Sequence, residues 1–221
     1  PLRCCTNRRP TVNFFQHVGQ YLLPYGVVKY RSPLTGNLSD ANRHDRYQHG
    51  GDHHRGDDFR NDNPRDYIKG FPWHPHRGIE TITYVLSGTV EHKDSLGNTG
   101  TLGAGDVQWM TAGSGIIHQE MPRGDEAGRM LGFQLWANLP ASHKMMTPRY
   151  QEIKSNDIPV VSLDNGIAVK IICGEVQGVQ GPAKDIVIDP EYLDITIPPD
   201  TEYYHPTKKG YTAFAYIING K

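Results

Sequence analysis

GFPWHPHRGIETITYVLSG, residues 70–88, is the stretch on which the reading of the fold turns. Residues 79–86 are dominated by β-branched side chains. Ile82, Tyr84 and Leu86 recur every second position and so share one face of an extended strand. Ser87-Gly88 ends the run with turn chemistry. The same punctuation recurs downstream. Ser95-Leu96-Gly97-Asn98, Gly103-Ala104-Gly105-Asp106 and Ala112-Gly113-Ser114-Gly115 separate predicted strands at 89–93, 107–110, 116–121 and 131–137. Short strands with glycine turns roughly every ten residues predict an all-β sandwich or barrel. A second run begins near Ile158, with strands predicted at 160–163, 168–173, 185–188, 192–197 and 212–218. Helical signals are scarce, and 142–146 amounts to one turn.

The remainder of the chain bounds the function. Its 221 residues hold 23 Lys+Arg against 24 Asp+Glu, a formal net charge of −1. That balance gives no electrostatic footprint for nucleic acid or an anionic membrane. No apolar run approaches the roughly 20 residues that span a bilayer, and no signal-peptide pattern opens the chain, so the cytoplasm is expected. Cys4, Cys5 and Cys173 are too few for a disulfide framework or a four-thiolate zinc site. Residues 1–66 read differently from 67–221. Residues 12–30 are weakly apolar without a clear period. Residues 35–60 are polar and nearly free of aliphatic side chains, which predicts loop or disorder. The chain starts at Pro1, as a processed or partial chain would, and stops at Lys221 directly after an apolar strand, so a second barrel reads as cut short.

Two pairs carry chemistry: His74-Pro75-His76 and His118-Gln119-Glu120. In a strand, residues two apart project to the same side, so each pair presents both of its donors together. Pro75 fixes its own φ and drives His74 into the extended region. On facing strands the pairs make a site of three imidazoles and one carboxylate. That donor set suits Fe(II), Ni, Cu, Mn or Zn, and the lack of thiolates argues against a closed structural zinc site. Four protein ligands on a six-coordinate ion leave room for water, substrate or O₂.

Other features have plainer readings. Arg77 and Glu80 fit either hydrogen bonds to the ligands or a surface salt bridge. Trp73, Trp109, Met110, Phe133, Leu135 and Trp136 are predicted as core or pocket wall. His92 is predicted to face solvent on its strand. His44, His49, His53 and His54 fall in the polar loop, and His17, His143 and His205 have no partner in sequence. The 111–115 stretch is a hairpin turn rather than a phosphate loop, since no lysine follows it.

The segments 70–88, GDVQWMTAGSGIIHQEMP at 105–122 and GFQLWANLPASHKMM at 132–146 resemble the pirin family of the cupin superfamily. The resemblance runs from about Asp58 to the end of the chain. It implies tandem cupin barrels: an atypical N-terminal segment over 1–57, a metal-binding cupin domain over 58–152, and a partial second cupin without metal over 153–221. It also implies a monomer holding one divalent metal, iron(II) first and other transition metals also accommodated, on His74, His76, His118 and Glu120. The function it implies is quercetin 2,3-dioxygenase activity on a flavonol and O₂, with Glu120 as the catalytic base. Trp73, Met110 and Phe133 are expected to wall the pocket. The alternative it implies is a non-enzymatic, redox-sensitive regulator that docks a protein partner. The polar stretch 36–57 departs from the family pattern, so the first barrel is expected to lack strands unless 12–30 supplies them.

Overall fold

The computed structural model describes residues 11–18, 27–31, 56–58 and 64–219. Three strands come first: β1 (Thr11–Val18), β2 (Val27–Arg31) and β3 (Gly56–Asp58). One helical turn, Pro64–Tyr67, leads into β4 (Phe71–His76), β5 (Ile79–Ser87), β6 (Thr89–Asp94), β7 (Thr99–Leu102), β8 (Val107–Thr111), β9 (Ile116–Arg123), β10 (Leu131–Asn138) and β11 (Arg149–Ile153). The remaining strands are β12 (Val160–Ser162), β13 (Ala168–Cys173), β14 (Glu175–Val176), β15 (Val179–Gln180), β16 (Glu191–Thr196), β17 (Glu202–Pro206) and β18 (Tyr211–Asn219). Every strand pairing is antiparallel, as expected where short turns join successive strands. No helix among the described residues is long and apolar enough to cross a membrane.

The chain divides into two compact units, His49–Asp157 and Pro1–Gln48 with Ile158–Lys221. In the first unit, a five-stranded sheet runs β11-β8-β5-β10-β3 and a four-stranded sheet runs β4-β9-β6-β7. Strand β5 explains why its sequence decides the fold. Both of its faces are covered from Glu80 to Val85, so apolar Ile82 and Tyr84 serve one side while Thr81 and Thr83 serve the other. Val85, Val90, Leu102 and Met130 form one core cluster, and Met110, Ala112 and Ile116 another. The predicted turn at 111–115 joins β8 to β9. Gly113 sits there at φ +51°, where a Cβ would run into the Met146 carbonyl.

In the second unit, β1 is inserted between β16 and β18, and β2 pairs with β17. The described parts of residues 12–30 therefore supply strands to this unit and, among the described residues, none to the first. The core here is Ile167, Val169, Ile171, Leu193, Ile195, Ile197 and Tyr203.

Two corrections to the predicted elements follow. The strand expected at 185–188 is absent, because Asp185 and Asp189 adopt φ of +57° and +47°, which breaks extended backbone. Of the predicted loop 35–60, residues 56–58 form β3 against β10; the rest lies outside the described residues, as do Cys4, Cys5, His44, His49, His53 and His54. The side chain of His17 likewise lies outside them.

Candidate metal centre

Strand β9 is the axis of the site. Ile116, His118, Glu120 and Pro122 are buried and alternate with outward Ile117, Gln119, Met121 and Arg123. That is the period of an extended strand applied to a half-buried position. On one flank β4 pairs with β9 and places His74 opposite His118. A register irregularity between Phe71 and His74 locally bends this ribbon. On the other flank β6 places His92 opposite Glu120 and Asp94 opposite His118.

Three imidazoles from the predicted set meet. The ring centroids of His74 and His118 are 4.4 Å apart, those of His74 and His76 4.8 Å, and those of His76 and His118 4.9 Å. His74 Nδ1–H donates to the Pro72 carbonyl at 2.8 Å, which fixes the tautomer and leaves Nε2 as the lone-pair nitrogen. That nitrogen faces His118 Nε2 at 2.9 Å. His76 Nε2 and His118 Nδ1 are buried without hydrogen-bond partners. Burial, and secondarily the neighbouring His74, lowers the pKa of His76 to about 4. Burial, followed by His74, His76 and His92, lowers that of His118 to about 3. Both rings are therefore neutral at physiological pH, the form that binds metals.

Glu120 is fully enclosed. Burial raises its carboxyl pKa, against the opposing bonds from Gln134 and Thr83. Gln134 Nε2 donates to Oε2 at 2.6 Å, and Thr83 Oγ1 donates to Oε1 at 3.0 Å. Trp136 Nε1 donates to Gln134 Oε1 at 2.8 Å, so a chain of donors from β10 and β5 locks the carboxylate. Glu120 forms a possible ligand group with His92 and His118, whereas His74, His76 and His118 form the other.

The residues fit a divalent transition metal. Two buried imidazole nitrogens without hydrogen-bond partners are costly unless something accepts their lone pairs, and nitrogen and carboxylate oxygen donors are those such a metal takes.

Several expectations need correction. His92 does not face solvent: it is 1 % exposed. Gln108 Nε2 donates to its Nδ1 at 2.8 Å, Asp94 Oδ2 lies 3.3 Å from its Nε2, and the Tyr150 ring stacks on it at 4.9 Å. Arg77 and Glu80 form no surface salt bridge. Glu80 is buried and accepts a 2.7 Å bond from Thr111, while exposed Arg77 reaches Met145 Sδ at 3.2 Å. Trp73 is 53 % exposed and outside the core. Trp109, Met110 and Phe133 are buried, and Leu135 and Trp136 half-buried. Sequence reasoning missed Thr83, Gln134, Gln108 and Asp94. Thr83 and Gln134 are register partners across β5 and β10, a relation visible only once the strands are paired.

A family model described as Pirin matches residues 35–137. Over 157 residues the chain is 47% identical to a pirin-like protein of Caulobacter vibrioides, covering 71% of this chain and 56% of the relative. Over 175 residues it is 44% identical to a Thermoplasma acidophilum protein provisionally named a quercetin 2,3-dioxygenase, covering 72% of this chain and 67% of the relative. Among solved structures, a quercetin 2,3-dioxygenase from Acinetobacter baumannii superposes with a TM-score of 0.50 at 28% identity, over 67% of each chain. The chain thus spans between about half and two thirds of the length of the relatives it matches.

Proposed function

The chain belongs to the pirin family, with the antiparallel β-architecture of cupins, and from that premise we propose that it is a metal-dependent dioxygenase acting on quercetin-type flavonols. In this reading residues 58–152 are the metal-binding cupin domain, and 153–221 belong to a second cupin that holds no metal. His74, His76, His118 and Glu120 hold one divalent ion, iron(II). The observation that carries the reading is the meeting of three imidazoles, two with open buried nitrogens, beside an enclosed carboxylate.

Bound there, iron(II) supplies Lewis acidity and a redox couple for O₂ chemistry. The remaining work falls to the chain. Glu120 takes the proton of the flavonol 3-hydroxyl, and burial makes its carboxylate a stronger base than an exposed one. Thr83 and Gln134 hold the two carboxylate oxygens so that the group does not swing away from the substrate. Met110, buried against Ile116 two residues before His118, and Trp136, whose ring lies 5.1 Å from that of His76, give the apolar wall that excludes water from the flavonol rings. Phe133, next to Gln134 on β10, faces the other side of its strand. The products are carbon monoxide and the depside formed by opening the central ring, with both atoms of O₂ retained.

The test is oxygen uptake with quercetin by iron-loaded protein. Turnover that depends on the metal is expected; equal turnover by a demetallated sample contradicts the reading. Absence of turnover, with partner affinity that differs between Fe(II) and Fe(III) forms, would replace it with the regulatory alternative.

A further inference from the structure

We propose that the centre offers two alternative positions to a single divalent cation, and that His92 is the donor that makes the second. The outer position is that of the proposed reading, with His74, His76 and His118 as its imidazoles, the inner is bounded by His92, His118 and Glu120, and the Glu120 carboxylate is common to both. The proposal rests on the reading that an ion binds at this cluster, and extends it across β9 to the β6 flank. In each group the candidate ligand atoms lie within 4.8 Å of one another. Every member of the inner group is buried, and two imidazoles with a carboxylate are a donor set that divalent transition ions accept.

His118 is the shared imidazole, and its hydrogen bonding is one-sided. Nε2 faces His74 at 2.9 Å, while Nδ1 is buried with no partner. The ring of His92 lies 5.3 Å from that of His118. His92 itself is loosely held on one side. Its contact with Asp94 is 3.3 Å, whereas Asp94 takes shorter bonds from Leu96 N, Asn98 N and Asn98 Nδ2, at 2.9, 2.9 and 2.7 Å. Asp94 is therefore well satisfied without His92.

On the other side, the Gln108 amide donates to His92 Nδ1, and Gln108 Oε1 is buried without a partner. Turning that amide by half a rotation lets Oε1 accept from Nδ1–H and leaves Nε2 free as a ligand. Because the two positions share Glu120 and His118, and a neutral imidazole offers one lone pair at a time, one ion moves between them and the stoichiometry stays at one.

The experiment titrates the full, metal-stripped chain with cobalt(II) alone, reading stoichiometry by equilibrium dialysis and geometry by visible absorption. The wild-type chain takes up one equivalent. The H74N/H76N variant, which lacks the outer pair, still takes up one equivalent, with affinity weakened about 10- to 100-fold and a changed spectrum. Adding H92Q weakens it by at least about another tenfold. A second variant, Q108L in the H74N/H76N background, removes the acceptor for Nδ1–H and weakens cobalt binding several-fold, independently of whether the triple variant folds. The proposal is overturned if H74N/H76N takes up no cobalt while wild type does, or if it binds equally well with and without His92. If wild type itself binds none, the metal reading beneath the proposal falls too, which distinguishes the two failures.

Discussion

Each unit of the chain buries imidazole, and the two units treat it differently. In the second unit, His205 is enclosed and both ring nitrogens are bonded. Nδ1 meets the Tyr203 hydroxyl at 2.9 Å, and Nε2 meets Glu191 Oε2 at 2.7 Å. In the first unit, His76 and His118 are equally enclosed, yet each keeps a nitrogen without a partner. A satisfied buried histidine ties strands together; an unsatisfied one waits for a ligand. The difference assigns chemistry to the first unit and a structural role to His205.

The comparison can be broken most sharply at the carboxylate. Glu120→Gln keeps the shape and removes the base, and is expected to lower quercetin-dependent oxygen uptake by at least ~10²-fold. Stopped-assay oxygen consumption checks it, and wild-type rates from this variant would place the base elsewhere. Next in size is Gln134→Leu, which strips a 2.6 Å donor from Glu120 without touching an imidazole. Metal affinity or turnover should fall roughly 10- to 100-fold, as for groups that orient a ligand from behind; a metal titration measures it.

His205→Gln sharpens the other side. It leaves Tyr203 and Glu191 imperfectly paired and should cost about 1–3 kcal/mol of stability by chemical denaturation. Metal content should not change. A loss of metal there would erase the distinction between the units.

The smallest effect is one of pH. His76 and His118 have pKa values lowered to about 4 and about 3 in the folded chain, below the ordinary 6.5. Between roughly pH 6.5 and 4 the unfolded chain binds more protons than the folded one, so metal-free protein loses stability on acidification across that window. Melting temperatures of metal-free wild type should fall there, and those of H76Q/H118Q should fall less. Parallel curves would mean that the two rings are not buried neutral.

Much of this was legible in the residues. His74 with His76, and His118 with Glu120, could be paired because a strand repeats every two positions and Pro75 enforces extension. The burial of β9 follows the same rule. His92 was misread for a local reason: charged Glu91 and Lys93 flank it and suggest a solvated strand. Period two, counted from apolar Val90, puts His92 and Asp94 on the buried face. Of the two readings of Trp73, core or pocket wall, its 53 % exposure removes the core. The bonds of Thr83 and Gln134 to Glu120 depend on strands far apart in the chain. The sharing of β1 and β2 with β16, β17 and β18 pairs the two ends of the chain, and no local pattern encodes it.

The central claim is that three imidazoles and one carboxylate close on a single ion. X-ray absorption spectroscopy on iron-reconstituted full-length protein, with elemental analysis of the same sample, tests it most directly. One iron per chain in a shell of nitrogen and oxygen, showing the multiple scattering of about three imidazoles, is the predicted result. Iron well below one per chain, or a shell without imidazole scattering, would contradict it.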